Sequence, residues 1–144
     1  MLNKRGVFVE ALQWRKNSVL LYAYRPAFVQ AVLNQNEKQI LLTQFDYSKK
    51  EFVNIKNALC HLKKRLYKYQ NFPHEIGIFL GYPLEDVKGF IKNKGKNCKT
   101  CGVWKVYFNE CEKQKLFEKY KKCTKVYCDV FNRGKELLQM TVAC

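Results

Sequence analysis

Residues 73–108 read PHEIGIFLGYPLEDVKGFIKNKGKNCKTCGVWKVYF. The turn residues and apolar runs of this stretch decide the fold class. Glu75–Leu80 is a short apolar run between turn signals, which predicts a strand. Gly81-Tyr82-Pro83 then turns the chain into a helix. Pro83 suits the first helical turn, where its missing N–H costs nothing. Glu85 and Asp86 favour the positive end of that helix. Leu84, Val87, Phe90 and Ile91 share its inward face, and Gly95 closes it. Val103–Phe108 alternates in strand fashion, with Trp104 facing opposite Lys105.

Upstream, Val7–Trp14 and Val19–Tyr24 read as two strands joined by RKNS, the second stopped by Arg25-Pro26. Ala27–Phe45 reads as helix with a break near Asn34–Asn36. Ser48 followed three residues later by Glu51 is a capping box. It opens a helix running to about Tyr69, with Phe52, Ile55, Leu59, Leu62, Leu66 and Tyr69 as its buried stripe. Phe72-Pro73 ends that region. Downstream, Asn109 caps a long helix whose predicted buried face is Leu116, Tyr120, Cys123, Tyr127 and Val130, and Gly134 ends it. A short tail helix is expected after residue 135. The order β-β-α-α-β-α-β-α predicts an α+β fold in which helices cover one small sheet of about four strands. Residues 1–144 are expected to form a single domain.

The chain has 144 residues, 47% of them hydrophobic, enough for a real core. No apolar run approaches the ~20 residues that span a bilayer. The basic N-terminus is interrupted by Glu10 and Gln13, which does not fit a secretory signal. These features predict a cytoplasmic protein with no membrane partner. Seven cysteines, an odd number, do not suit a closed disulfide framework. The net charge is +15. Residues 88–125 hold twelve lysines against Glu110, Glu112 and Glu118, and such a field concentrates acidic partners.

HEIGIFLGYPLEDVKGFI, then CGVWKVYF, then a basic helix ending KYKKC resembles the DUF3793 family. The resemblance covers roughly residues 19–131, includes Tyr24-Arg25-Pro26, and has its motif core at 73–128. Its relatives are small proteins, mainly of anaerobic Firmicutes and Fusobacteria. The family has no agreed activity, so the resemblance implies no catalytic residues. Some relatives are encoded near flavodoxin-like and iron-uptake proteins. The resemblance therefore implies a redox or iron-handling neighbourhood. Within the motif, Glu75, Gly81, Tyr82, Asp86, Gly102, Trp104 and Tyr107 are the residues to watch.

Cys98 and Cys101 form a CxxC on a loop before a strand, with nine residues between Cys101 and Cys111. A structural zinc site usually shows two close pairs, and here only one is close. His74, beside Glu75, is a candidate haem or metal ligand or acid–base group. Haem or a thiolate-bound metal at His74, Cys98, Cys101 and Cys111 is one alternative function. Cys123, on the apolar stripe, is expected to pack in the core. Gly77, Gly81, Gly89 and Gly102 make neither a dinucleotide fingerprint nor a phosphate loop, and no hydrolase or zinc-protease motif occurs. The leading expectation is a non-enzymatic accessory protein. It would dock an acidic protein, of a flavodoxin-like or iron-handling kind, through Lys88, Lys92, Lys94, Lys96, Lys99 and Lys105. Nucleic-acid binding through lysine and tyrosine is a further alternative.

Overall fold

The N-terminal alternation of apolar and polar residues forms a hairpin. The computed structural model describes residues 2–68 and 72–141. In it, β1 (Phe8–Arg15) and β2 (Ser18–Tyr24) pair antiparallel. The register shifts between Ala11 and Gln13, so Leu12 is the extra residue of a bulge. The bulge turns Leu12 inward, where it is 2% exposed. Tyr22 is buried as well, and its hydroxyl donates to the Phe79 carbonyl at 2.5 Å. The opposite face of the hairpin is apolar. Val9 lies across from Ala23, Ala11 from Leu21 and Trp14 from Val19, and Val9, Trp14, Val19 and Leu21 are exposed.

α1 (Pro26–Leu33) and α2 (Asn36–Thr43) follow, divided where Asn34 and Gln35 predict a break. The Gln39 amide donates to the Leu33 carbonyl at the junction. α3 (Lys49–Val53) opens on the capping box, with Glu51 Oε2 accepting from both the backbone N–H and the hydroxyl of Ser48. The single helix expected from Ser48 to Tyr69 is divided at Asn54. That residue is extended at φ −134°, ψ 113°, and its Oδ1 accepts the Lys56 N–H at 2.9 Å. Asparagine competes with the helical backbone for such bonds, so it ends one helix and caps α4 (Ile55–Lys68). Phe52, Leu59, Leu62 and Leu66 are buried as the stripe predicts. Tyr69 lies outside the described residues.

Glu75–Leu80 is not a strand. Ile76–Phe79 is a short helical turn, α5. The carbonyls of Pro73, His74 and Glu75 accept from Ile76, Gly77 and Ile78. Ile76, Gly77, Ile78 and Phe79 are all buried, so the run has no polar face whose spacing distinguishes helix from strand.

By contacts the chain divides into two compact units, Gly6–Leu84 and Glu85–Cys144 together with Met1–Arg5. α6 (Leu84–Asn93) begins at the boundary. In the second unit β3 (Thr100–Cys101) and β4 (Lys105–Val106) pair antiparallel, followed by α7 (Glu110–Asn132) and α8 (Leu137–Met140). Leu2–Arg5 forms a 3-10 turn. The class is α+β, as expected. The single four-stranded sheet is not what forms among the described residues, which hold two separate two-stranded antiparallel sheets. Only Lys105–Val106 of the predicted strand 103–108 is extended, because Gly102, Val103 and Trp104 make the turn.

The predicted buried face of α7 is corrected too. Phe117 is its one buried residue, Cys123 is exposed, and Tyr120 and Tyr127 are 42% and 48% exposed. At 23 residues α7 is roughly 35 Å long, far beyond the reach of strands of two residues each. Asn109 stands at the N-cap in the left-handed region (φ 51°, ψ 53°), and its side chain makes no capping bond. No helix among the described residues is long and apolar enough to cross a membrane.

Candidate functional site

Asp86 organises the second unit. It lies in the first turn of α6 and is 2% exposed. Its Oδ2 accepts the Trp104 indole N–H at 2.8 Å. Its Oδ1 accepts the backbone N–H of Tyr107 at 2.8 Å and of Phe108 at 3.1 Å. A buried carboxylate is tolerated when its lone pairs are filled in this way. Asp86 thereby ties α6 to the β3–β4 hairpin and to the segment that leads from β4 into α7.

Two glycines permit the same packing. A Cβ on Gly89 would stand 2.5 Å from Cγ of Tyr107, and one on Gly102 would stand 2.3 Å from Cδ2 of Phe117. Trp104 packs edge-on against Phe117, with ring centroids 4.7 Å apart. The Tyr107 hydroxyl donates to the Lys96 carbonyl. Burial pushes the Tyr107 phenol up, and nearby Cys98, Asp86 and Cys101 push it the same way. The motif residues Asp86, Gly102, Trp104 and Tyr107 thus form a knot in which Asp86 and Tyr107 are buried, Trp104 is half-buried and Gly102 is exposed. Gly89 and Phe117 belong to it and were not singled out from the sequence. An isolated glycine within a helical pattern is the signal that could have marked Gly89.

Around this knot the surface is basic. The unit holds sixteen lysines and arginines against seven acids, a net of +9. Lys88, Lys92, Lys94, Lys96 and Lys99 are exposed, and no salt bridge engages them among the described residues. Lys105 behaves differently. It is half-buried, donates to the Gly95 carbonyl at 2.7 Å and lies 5.8 Å from the Phe90 ring centroid. Its charge therefore helps close the C-terminal end of α6.

Cys98, Cys101, Cys111, Cys123 and Cys128 of this unit carry free thiols. Cys98 is half-buried on the loop, Cys101 is exposed on β3, and Cys111 is exposed in the first turn of α7. Among the described residues, no three His, Cys, Asp or Glu side chains gather in a way that could hold a metal ion.

The other motif residues lie in the first unit. His74 is exposed ahead of α5. Glu75 is fully buried and takes an ion pair from Arg65, whose guanidinium also sits 5.0 Å from the Phe45 ring centroid. Gly81 has φ +75°, and a Cβ there would meet Phe28 at 2.7 Å. Tyr82 is half-buried, and burial raises its phenol. His61 packs on Tyr47 at 4.1 Å between centroids and bonds the Phe45 carbonyl, a structural role.

A family model, described as Protein of unknown function (DUF3793), matches residues 1–141 of the 144. The chain belongs to the DUF3793 family. The match extends beyond the motif to take in the N-terminal hairpin and the end of α7. No curated protein and no solved structure matches the chain. This DUF3793 member thus presents a packed structural motif within a basic, lysine-studded exterior.

Proposed function

We propose that this DUF3793 protein is a binding or accessory protein that docks an acidic partner protein on the second unit. The observation that carries this reading is the set of exposed lysines at 88, 92, 94, 96 and 99, none held by an ion pair among the described residues. Exposed cations of one sign steer an acidic partner and set the orientation of the encounter. Lys105 contributes to the same field while fixed to the Gly95 carbonyl. A flavodoxin-like or iron-handling protein is the kind of partner proposed, and the cytoplasm is the proposed compartment.

The test is binding of the full chain to an acidic flavodoxin-like protein, measured from low salt to about 0.5 M, where exposed charges are screened. Affinity is expected to fall steeply with salt. It is also expected to fall when Lys88, Lys92, Lys96 and Lys99 are replaced by glutamate. An affinity unchanged across that salt range would sink the proposal.

A further inference from the structure

α7 carries an amphipathic face that stays largely exposed among the described residues. Leu116, Tyr120, Cys123, Tyr127 and Val130 recur in alternating steps of four and three, the spacing of a helix–helix seam. Every charged residue from Glu118 to Asp129 lies about 100° or more from Tyr120 on the helical wheel, at about 100° per residue. The start of the face is covered, where Phe117 packs under Gly102 and Trp104, and Leu116 and Val130 are half-buried. Past that point Tyr127 and Phe131 are 48% and 56% exposed. Beside the seam runs an open groove of about 530 Å³, lined by Gly102, Val103, Phe117 and Tyr120, with Lys121 and Lys125 also on its wall.

We infer that this face and groove seat an acidic amphipathic helix of the partner, its apolar side on Tyr120, Tyr127 and Phe131 and its carboxylates toward Lys121 and Lys125. The inference rests on the acidic-partner reading and names the form in which that partner binds. The stretch from Tyr120 to Phe131 is three helical turns, about 16 Å, which suits anchors at i, i+4 and i+7. The charges choose the occupant. Lys119 and Lys121 border the face, Lys125 stands beyond Lys121 on the groove wall, and among the described residues the ion pair of Lys121 is with Glu118, on the solvent side. A second copy would bring the same lysines and a further +15 to those borders, whereas glutamates would complement them.

The test uses the full chain and three fluorescein-labelled 18-residue peptides read by anisotropy. One is an acidic amphipathic helix with a leucine seam and glutamate flanks. The second has the same composition with the seam scrambled. The third has the seam with lysine flanks. The acidic amphipathic peptide is expected to bind about tenfold or more tighter than the other two. Tyr127→Ser with Phe131→Ser should abolish that preference, as should Lys121→Glu with Lys125→Glu. These positions are exposed, so circular dichroism should show helix content unchanged.

Equal binding of both acidic peptides would overturn the inference while leaving the acidic-partner reading standing. No binding of either would overturn the inference, and the acidic-partner reading would then be decided by the salt dependence of binding to the acidic flavodoxin-like protein. A dimer in sedimentation equilibrium that Tyr127→Ser and Phe131→Ser dissolve would assign the face to a second copy instead. Binding to phosphatidylserine vesicles that the acidic amphipathic peptide does not displace would assign it to a membrane surface.

Discussion

Asp86 is the residue on which the second unit turns. It is itself buried and accepts three hydrogen bonds, a buried one from Tyr107 and part-buried ones from Trp104 and Phe108. Asp86→Ala would remove all three. The expected loss is about 2–4 kcal/mol, measured by urea unfolding, at roughly 1–3 kcal/mol for the orphaned buried donor and less for the two part-buried bonds. Asp86→Asn keeps one acceptor oxygen and should lose less. Tyr22 makes a separate prediction, in pH. Burial first, and Tyr24 second, raise its phenol well above the ordinary value of 10. A raised folded pKa means that the protonated form stabilises the fold. That contribution is complete below about pH 10 and is lost as pH rises beyond it. Tyr22→Phe should therefore show a shallower loss of stability above pH 10 than the wild type, in unfolding curves taken at successive pH values. Acidity is visible in a sequence and burial is not. Asp86 read as a helix-dipole residue because its neighbour Glu85 suits the same role, and only the fold shows which of the two points inward.

Elements were legible where one face is buried and the other wet. The hairpin, the break between α1 and α2, and the stripe Phe52, Leu59, Leu62 and Leu66 all follow from periodicity. Periodicity failed in two opposite circumstances. α5 is buried on all sides and shows no alternation. α7 has a helical stripe that stays largely exposed among the described residues. A stripe says that a face is apolar and does not say what meets it. Asn54 is a third case, where a side chain alone redirects the backbone. Asn54→Ala should cost about 0.5–2 kcal/mol by removing the bond to the Lys56 N–H that starts α4. Thermal unfolding followed at 222 nm would report it, and Asn54→Asp should retain most of the stability.

At the scale of the whole molecule, charge acts in two directions. A net +15 repels itself within the fold, while the same field attracts acidic partners. Salt is therefore expected to raise the midpoint of thermal unfolding between low and about 0.5 M sodium chloride, and to weaken docking over the same range. A midpoint that falls with salt would mean that internal ion pairs such as Lys63–Glu10 and Arg65–Glu75 outweigh the repulsion. The α+β class and the basic second unit were visible in composition and order. The division into two units was not, because its boundary falls at the start of α6, between Leu84 and Glu85, where no proline-rich or low-complexity linker announces it. The knot of Asp86, Gly89 and Gly102 also shapes how a genetic screen would behave. Random mutagenesis scored only by loss of phenotype would first collect substitutions at these positions, since they deplete the cell of folded protein whatever its task. Alleles at Lys96, Tyr127 or Phe131 would surface only if each mutant were also scored for abundance, and those that keep full abundance yet lose the phenotype would be the ones that mark where the partner sits.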